Sequence, residues 1–492
     1  MLPLSNLPFL VMAENESRYE FSDGISVVVN SECPTCQLTS SLLTDLGSSG
    51  HVTVFSQDDP SFPASAEWVR DDSDLAFSWH NDIEAVPTLV RVVDGKEVER
   101  LSGWNRKEWE RLLELENLAP DLVDHKPGCG SLSVSPDRVD ELEVKFGGKK
   151  FVSRRVEIAS LEDEMEAMFD RGWSDGLPVV PPTEARVNRM LAGTSREPDD
   201  IVAVIPPNLA ECSVEKVAIN AVMAGCLPEY LPVVIACLEA ICTDEFNMHG
   251  VLATTMGVGP IFVVSGPITE RLDMNSGINA LGHGNRANTT IGRAVQLVLR
   301  NIGGGKPGGI DRATLGHMGK LGFCFAEAPS PWENLSESFG FSPEQNTVTA
   351  FTGEGPRIIV DQKSRSPESL TRLLAEGLKS TISPRMVLAM DAMLVISPEH
   401  LSRFIDAGWS RAQFIERLSE LLVIDSDEII EGAGDIEDGI PSAFAGNKLP
   451  KFRPGGLLVV HAGGPAGLFS AIIGGWLNGA KGSDPVAKEI IL

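Results

Sequence analysis

In the first part of the chain, short continuous apolar runs alternate with apolar residues at helical spacing. The runs predict strands, and the helical spacing predicts helices. The valines at 27–29 form a short β-branched run, typical of a strand that is buried on both faces. Leucines at helical spacing follow this run, and Gly47 marks the predicted end of that helix. The same spacing rules predict further elements up to residue 115: a strand at 52–55, part of a helix at 75–80, a hairpin over 84–98 that turns at Asp94-Gly95, and a helix at 106–115.

The larger remainder of the chain, 151–492, is dense in Gly and Pro and continues the alternation. Thr183 is predicted to cap a helix over 184–191. The other predicted elements are helices at 158–171, 214–223, 231–241, 294–302 and 468–473, and strands at 201–205, 261–264 and 456–461. Because helices and strands alternate throughout, we predict an α/β fold.

At 492 residues the chain is too long for one ordinary domain. The pattern predicts a first domain over 1–118 and a larger α/β domain over 151–492, built as one or two subdomains. Residues 119–150 mix Asp with Pro and Gly and are predicted to form a linker. Cys129 would then be an exposed thiol in a loop, and a redox partner of another thiol is the alternative.

Charge and cysteine usage narrow the class of protein. The formal net charge of −28 argues against nucleic acid or anionic membrane as partners. No run reaches the ~18 apolar residues that span a bilayer. Met1 to Ala13 is apolar but lacks a basic start, so we interpret it as an uncleaved N-terminal segment rather than a signal peptide. Eight cysteines in so long a chain do not make a disulfide scaffold, and we expect a cytoplasmic protein.

The most informative motif is Cys33-Pro34-Thr35-Cys36, which lies between the first predicted strand and the first helix. Pro34 suits a first helical turn, so Cys33 would lie at a helix N-terminus, where partial positive charge stabilises a thiolate. Cys36 lies one turn later, close enough to close a disulfide and so exchange two electrons. The alternative is half of a zinc site, but no second C-x-x-C or H-x-x-H lies nearby.

With the later Val86-Pro87-Thr88 and its hairpin, residues 18–118 resemble the thioredoxin-like superfamily. The resemblance implies that Cys33 is the attacking thiol, Cys36 the resolving thiol, and Pro87 a cis proline that faces them. The sequence departs from the family at Glu32, where tryptophan is usual, and in its inner Pro-Thr pair. A carboxylate beside Cys33 is expected to oppose thiolate formation.

Cysteines in the second region are candidates for thiol–disulfide exchange with the fused dithiol. Cys226 and Cys212 each lie at a helix end, whereas Cys237 and Cys242 lie in or beside an apolar helix and are predicted to be core residues. Fusion of the dithiol domain to this region raises the effective concentration of the dithiol at these cysteines into roughly the millimolar range. We therefore predict thiol chemistry at Cys226, with Cys212 as second choice. The alternative for each cysteine is plain packing.

A polar segment over 275–293 is the predicted anion or substrate loop. Glycines there let backbone N–H groups approach a ligand, and two arginines offer paired donors. The alternative is a polar loop that caps a helix. The predicted binding residues of this segment are Asn285, Arg286, Asn288 and Arg293.

A second predicted substrate-binding segment contains Gly463, Gly464 and Gly467, between a buried strand and the helix predicted at 468–473. It lacks the first glycine of a dinucleotide fingerprint, and too little chain follows it for a ribose-binding acid. The glycines at 303–309 lack a Walker pattern. We therefore predict no cofactor. A metal bound by His317, Cys324 and Glu327 with His249 or His283 stays open as an alternative.

The runs VEKVAINAVMAGCLPEYLPVV and ANTTIGRAVQLVLRNIGGG weakly resemble poorly characterised bacterial proteins grouped as UGSC-like, some of which carry a fused thioredoxin-like domain. The resemblance covers most of 151–492, although the U-G-S-C tetrad itself is absent. It implies no particular reaction.

Taken together, these patterns predict a thiol-dependent oxidoreductase. A thioredoxin-like dithiol module would supply electrons to a fused α/β catalytic domain that acts on a small, anionic substrate, and an external reductase would recharge the dithiol. The alternatives are a non-redox hydrolase or lyase with a metal or Cys nucleophile, and a thiol-based metal-binding protein. The sequence does not predict the oligomeric state.

Overall fold

The computed structural model describes residues 19–147, 151–159, 162–429, 432–433, 436–437 and 440–492. The predicted N-terminal segment Met1 to Ala13 lies outside these residues. The chain divides into two compact units, Met1–Lys150 and Phe151–Leu492.

In the first unit, the described residues form a mixed sheet, two short strand pairs and four α-helices. Its strands are β1 (Gly24–Val29), β2 (Thr53–Ser56), β3 (Val69–Asp71), β4 (Ala85–Val86), β5 (Thr88–Val93), β6 (Lys96–Ser102), β7 (Trp104–Asn105), β8 (His125–Lys126) and β9 (Cys129–Gly130). Its helices are α1 (Pro34–Ser48), α2 (Ala76–His80), α3 (Arg106–Leu113) and α4 (Val139–Phe146).

Five of these strands form one sheet in the order β3-β2-β1-β5-β6. Strands β1, β2 and β3 run parallel, and β5 and β6 form the antiparallel side, joined by the predicted Asp94-Gly95 turn. The valines at 27–29 are fully buried in the middle strand, which explains their unbroken apolar run. They share one core with Trp104 and Trp109.

The predicted linker is wrong for most of its length, because the described residues after 118 pack onto the first unit. Strand β8 pairs with β7, and β9 pairs with β4. Helix α4 contacts α2. The Asp, Pro and Gly content that predicted a linker instead supports tight turns, which a mixed composition alone does not distinguish from flexible chain.

The second unit is larger. Its helices are α5 (Glu164–Asp170), α6 (Glu184–Leu191), α7 (Val214–Ala224), α8 (Leu231–Ile241), α9 (Met248–Ala253), α10 (Ile268–Arg271), α11 (Arg286–Asn301), α12 (Pro367–Lys379), α13 (Pro398–Ile405), α14 (Arg411–Leu421) and α15 (Ser426–Ile429). Its strands are β10 (Ile201–Ile205), β11 (Ala210–Ser213), β12 (Gly259–Ser265), β13 (Phe323–Ala326), β14 (Thr347–Gly353), β15 (Arg357–Val360), β16 (Met390–Ile396), β17 (Val423–Asp425), β18 (Gly432–Ala433), β19 (Ile436–Glu437), β20 (Lys448–Pro450), β21 (Leu457–His461), β22 (Phe469–Leu477) and β23 (Val486–Glu489).

Eight strands of this unit form a sheet that folds into two halves. One half holds β13, β12, β14 and β23, and the other holds β21, β16, β22 and β15. The halves meet where Gly353 of β14 pairs with Gly475 of β22. Glycine suits this junction, since a Cβ at Gly475 would lie 2.6 Å from the carbonyl oxygen of Asp391.

The halves pack face to face between two layers of helices, giving four layers in all. Ile261 of β12 and Met393 of β16 belong to the core between the halves. Their neighbours alternate outwards: Phe262 packs with α7, α8 and α11, and Leu394 packs with α12, α13 and α14. Because both faces of β12 and β16 are buried, most of their residues are apolar, with Ser265 and Asp391 as the polar exceptions.

The α/β class is confirmed, as mixed sheets alternate with helices in both units. Thr183 caps α6 through its hydroxyl, which accepts from the backbone N–H of Arg186. No helix among the described residues is long and apolar enough to cross a bilayer.

Two predicted elements differ in type from the structure, and among the described residues of the helix predicted at 158–171 only Glu164–Asp170 are helical. The chain over 469–477 is strand β22 and not the helix predicted at 468–473. A short apolar run fits either structure, and here β15 and β16 pair with it on both sides. Helix α11 begins at Arg286, whereas the sequence placed 286–293 in a loop. Asn285 caps this helix, so the polar residues that suggested a loop belong to its first turns.

Candidate functional site

Cys33 lies at the N-terminus of α1, where the sequence predicted it. Its backbone is extended, with φ −74° and ψ 120°, and Pro34 follows as the first helical residue. The Cys33 side chain is 4% exposed and that of Cys36 is fully buried. All eight cysteines of the chain are free thiols in this structure.

The environment separates the acidities of the two thiols. A hydrogen bond from Cys36 lowers the pKa of Cys33 to about 5, against burial, with help from the Cys129 thiol and the backbone N–H groups of Cys36 and Thr35. Burial and the bond to Cys33 raise the pKa of Cys36 well above its usual range. Glu32 was expected to oppose thiolate formation at Cys33. It is exposed, and the pKa of Cys33 is lowered despite it. The pair is therefore one thiolate and one protonated thiol, as nucleophilic attack followed by resolution requires.

The loop before β5 completes this site. The Val86–Pro87 peptide is cis, as the resemblance implied. The Sγ atom of Cys33 lies 3.5 Å from the carbonyl oxygen of Val86. The carbonyl oxygen of Pro87 accepts from the backbone N–H of Gly103 at 2.7 Å, which holds the loop against the next turn.

Cys129 belongs to the same cluster, although the sequence favoured a plain loop thiol and left a redox partner only as the alternative. Its Sγ atom lies 2.7 Å from the Sγ atom of Cys33, 96 residues earlier in the chain. Cys129 is half-buried, so it is the most accessible thiol of the three. Burial, together with the neighbouring Cys33 thiolate, raises the pKa of Cys129. The local signal was the pair of glycines around it, Gly128 and Gly130, which allow a close backbone approach.

Contacts on both sides hold the 126–130 segment over Cys33. Strand β9 pairs with β4, so that Cys129 lies opposite Val86. The hydroxyl of Thr35 donates to the carbonyl oxygen of Pro127 at 2.7 Å, and Nζ of Lys126 donates to that of Pro34 at 2.9 Å. The segment is thereby bonded both to the first turn of α1 and to strand β4, which ends just before Pro87.

The predicted client thiols of the second unit are buried. Cys226 is 6% exposed and Cys212 is fully buried. Burial raises the pKa of each thiol to about 12. Protonated, packed thiols are poor nucleophiles, and an external thiolate does not reach them without local opening. Cys237 is core, as predicted, and Cys242 is half-buried beside it.

A cavity of about 540 Å³ in the second unit brings the two predicted binding segments together in part. Residues 279–282 form one wall, and Gly463, Gly464 and Gly467 belong to another. The backbone N–H of Gly463 donates to the carbonyl oxygen of Ser276 at 2.8 Å, which fixes one segment to the other.

The four predicted polar residues of the first segment do not line this cavity. Asn285 caps α11, and the buried Asn288 bonds the backbone of Asn275. Arg293 makes two hydrogen bonds to the carboxylate of Asp175, each of 2.8 Å. Arg286 is exposed and donates from Nε to the carbonyl oxygen of Gly225. Three of the four residues therefore hold the fold together.

A serine and a histidine that the sequence did not pair meet at the edge of the cavity. Ser470 lines it, and Oγ of Ser470 lies 2.8 Å from Nδ1 of His400. Nε2 of His400 lies 3.4 Å from the backbone carbonyl oxygen of Asp361. A proton on Nε2 leaves Nδ1 to accept from the hydroxyl. Ser470 lies in the segment predicted as a helix over 468–473, and β22 instead places it beside α13.

The residues of the alternative metal site do not come together. Among the described residues no group of three or more His, Cys, Asp or Glu side chains is arranged to hold a metal ion. Glu327 instead accepts hydrogen bonds from the Ser265 hydroxyl and the Leu335 backbone. The side chain of His317 caps a short turn by accepting from the backbone N–H of Gly319.

The chain matches no protein-family model, no curated protein and no solved structure.

Proposed function

We propose that the first unit is a thiol–disulfide oxidoreductase of the thioredoxin-like superfamily. The observation that carries this function is the pairing of an acidic Cys33 thiol at a helix N-terminus with the protonated Cys36. The parallel β1–β2 pair, the antiparallel β5–β6 hairpin and the cis Pro87 beside Cys33 also support it.

The reaction follows from these acidities. The Cys33 thiolate attacks one sulfur of an external disulfide, forming a mixed disulfide and releasing one thiolate. Cys36 then gives up its proton and attacks the Cys33 sulfur, which closes Cys33–Cys36 and releases the second thiol. The two protein thiols are oxidised by two electrons and the external disulfide is reduced. An external reductase reverses these steps.

The second unit is proposed to bind a small, anionic substrate in the cavity lined by Gly463, Gly464 and Ser470. Glycines without side chains let an anionic group approach the backbone of this wall. Burial of Cys226 and Cys212 does not favour them as electron acceptors. We therefore place the client of Cys33 in an external or substrate disulfide rather than in a protein thiol of this unit.

The test uses glutathione disulfide as the probe. The reduced protein is expected to release glutathione and to show a disulfide on the Cys33–Cys36 peptide by mass mapping. Cys33→Ser abolishes the exchange, and the matched control Cys242→Ser, which changes a half-buried thiol of the second unit, leaves it intact. Equal exchange by the wild type and Cys33→Ser would overturn the function.

A second candidate function is favoured by the Ser470–His400 contact. A hydroxyl held 2.8 Å from an imidazole at a cavity edge is the nucleophile–base pair of many hydrolases. This pair would let the second unit hydrolyse a small ester or amide without any thiol.

A fluorophosphonate probe tests this candidate. The wild type and Ser397→Ala are expected to take the label, because Ser397 lines the same cavity but bonds the carbonyl oxygen of Phe469 instead. Ser470→Ala should take none, and His400→Gln should take it more slowly. If Ser470 stays unlabelled in the wild type, the hydrolase function is wrong.

A further inference from the structure

We propose that Cys129 is a second resolving thiol, which closes a disulfide with Cys33 in competition with Cys36. This role rests on the proposed function, since it requires Cys33 to exchange with an external disulfide. It adds a third redox residue to the Cys33-Pro34-Thr35-Cys36 motif.

The geometry places Cys129 at the reacting atom. The 2.7 Å between the two Sγ atoms is closer than ordinary van der Waals contact between sulfurs, so only a small movement separates the two thiols from bond formation. The position is built into the fold, because Cys129 lies opposite Val86 in the β4–β9 pair. Two further hydrogen bonds, from Thr35 and Lys126, fix the residues on its N-terminal side.

Glycines on this segment are required for the approach. A Cβ at Gly128 would lie 2.9 Å from the carbonyl oxygen of Val86 and 3.3 Å from the backbone nitrogen of Gly103. Gly103 has φ +80°, and a Cβ there would lie 2.8 Å from the nitrogen of Gly128. The two backbones therefore pass at a distance that side chains would prevent, and this close passage brings Cys129 to Cys33.

The chemistry balances with the disulfide that the proposed function already supplies. Cys33 forms a mixed disulfide and releases one external thiolate. Cys129 loses its proton and attacks the Cys33 sulfur, closing Cys33–Cys129 and releasing the second external thiol. Cys36 can then attack Cys33 in turn, giving Cys33–Cys36 and returning Cys129 to its thiol form without any change in the number of electrons.

Exposure favours Cys129 over Cys36 as the first thiol to resolve. Cys36 is fully buried, and losing its proton there is opposed mainly by desolvation. Cys129 is half-buried, and after burial itself the Cys33 thiolate is what raises its pKa. That negative charge disappears once Cys33 enters a mixed disulfide, so Cys129 becomes easier to deprotonate at the step in which it is needed.

The experiment compares the variants Cys36→Ser, Cys129→Ser and Cys36→Ser/Cys129→Ser of the full chain. Each is reduced, treated with glutathione disulfide, and mapped by mass spectrometry without reductant. In Cys36→Ser we expect a Cys33–Cys129 disulfide and no glutathione on Cys33. In the double variant Cys33 should retain glutathione, released at least about tenfold more slowly, because no intramolecular thiol at millimolar effective concentration competes for it.

The outcomes separate the two proposals. If Cys36→Ser keeps glutathione on Cys33 as long as the double variant does, Cys129 is not a resolving thiol, while the proposed function stands. If Cys33 takes no glutathione even in the double variant, the proposed function fails. Cys129→Ala serves as a second replacement, and unchanged circular dichroism shows that the variants fold. Cys242→Ser, far from this cluster in sequence, should react as the wild type does.

Discussion

Arg293 and Asp175 form a two-point ion pair across 118 residues of sequence, with both N–O distances at 2.8 Å. Both side chains are nearly buried, and the same guanidinium also donates to the carbonyl oxygens of Leu177 and Pro178. Although burial opposes it, the bond from Arg293 holds the pKa of Asp175 below its usual range. Arg293 therefore fixes a loop to α11 and is not free for a ligand.

The first prediction concerns this pair. Arg293→Ala is expected to lower the free energy of unfolding by about 3 kcal/mol or more, since it leaves the Asp175 carboxylate buried without its partner. Denaturant unfolding measures the change. Arg286→Ala, which removes an exposed guanidinium from the same helix, should stay within about 1 kcal/mol of the wild type. Loss of anion binding in Arg293→Ala at unchanged stability would contradict a structural role.

The second prediction concerns the ionisation of Cys33. Because its pKa is lowered to about 5, the thiolate forms as pH rises through 5 and is complete at pH 7. The ultraviolet absorbance of the reduced wild type minus that of Cys33→Ser follows this titration. In Cys36→Ala the midpoint should move upwards, because the largest cause of the low pKa is removed while burial remains. An unshifted midpoint would show that Cys36 does not set this acidity.

The third prediction compares the glycines on either side of Cys129, Gly128 and Gly130, as a matched pair. In the Cys36→Ser background, Gly128→Ala should slow formation of the Cys33–Cys129 disulfide, because the added Cβ meets the carbonyl oxygen of Val86 at 2.9 Å and pushes the backbone away. Gly130→Ala should leave the rate unchanged, since a Cβ there has no neighbour within 4 Å. The rates come from quenched samples mapped without reductant. Equal rates for the two variants would mean that the close backbone passage is not needed.

The fourth prediction concerns the pH dependence of stability. Burial raises the pKa of Glu327 to about 7, against hydrogen bonds from Ser265 and Leu335. Between the ordinary glutamate pKa, roughly 4.3, and pH 7 the folded state keeps a proton that the unfolded state has lost. Stability from this group is therefore complete at low pH and is lost as pH rises through that window.

Glu327→Gln should remove this dependence. From pH 5 to pH 8 the wild type is expected to lose up to about 3 kcal/mol more unfolding free energy than Glu327→Gln does. Denaturant unfolding at both pH values gives the difference. The exposed Glu333 supplies the control, as Glu333→Gln should follow the wild type. If the wild type and Glu327→Gln lose the same unfolding free energy between the two pH values, a group other than Glu327 causes the pH dependence.

Much of the local structure followed from the sequence because short-range physics decides it. The valines of β1, the proline that begins α1 and the Asp94-Gly95 turn each carry their own conformational preference. Thr183 and Ser213 cap helices because their hydroxyls reach backbone N–H groups three residues ahead. The position of Cys33 at a helix N-terminus is of this kind, and so the dithiol was predictable.

Contacts between distant segments decided the rest. The run over 469–477 is a strand only because β15 and β16 pair with it, and its own sequence is compatible with either structure. Arg293 became structural through a partner 118 residues earlier. Cys129 lies in a Gly-rich segment whose composition predicts a flexible linker. Only the pairing of β9 with β4 brings its sulfur to Cys33. The sequence determines which cysteines the chain contains and which of them begins a helix. The tertiary structure decides which thiols come into contact, because contact depends on how closely two backbone segments far apart in sequence approach each other.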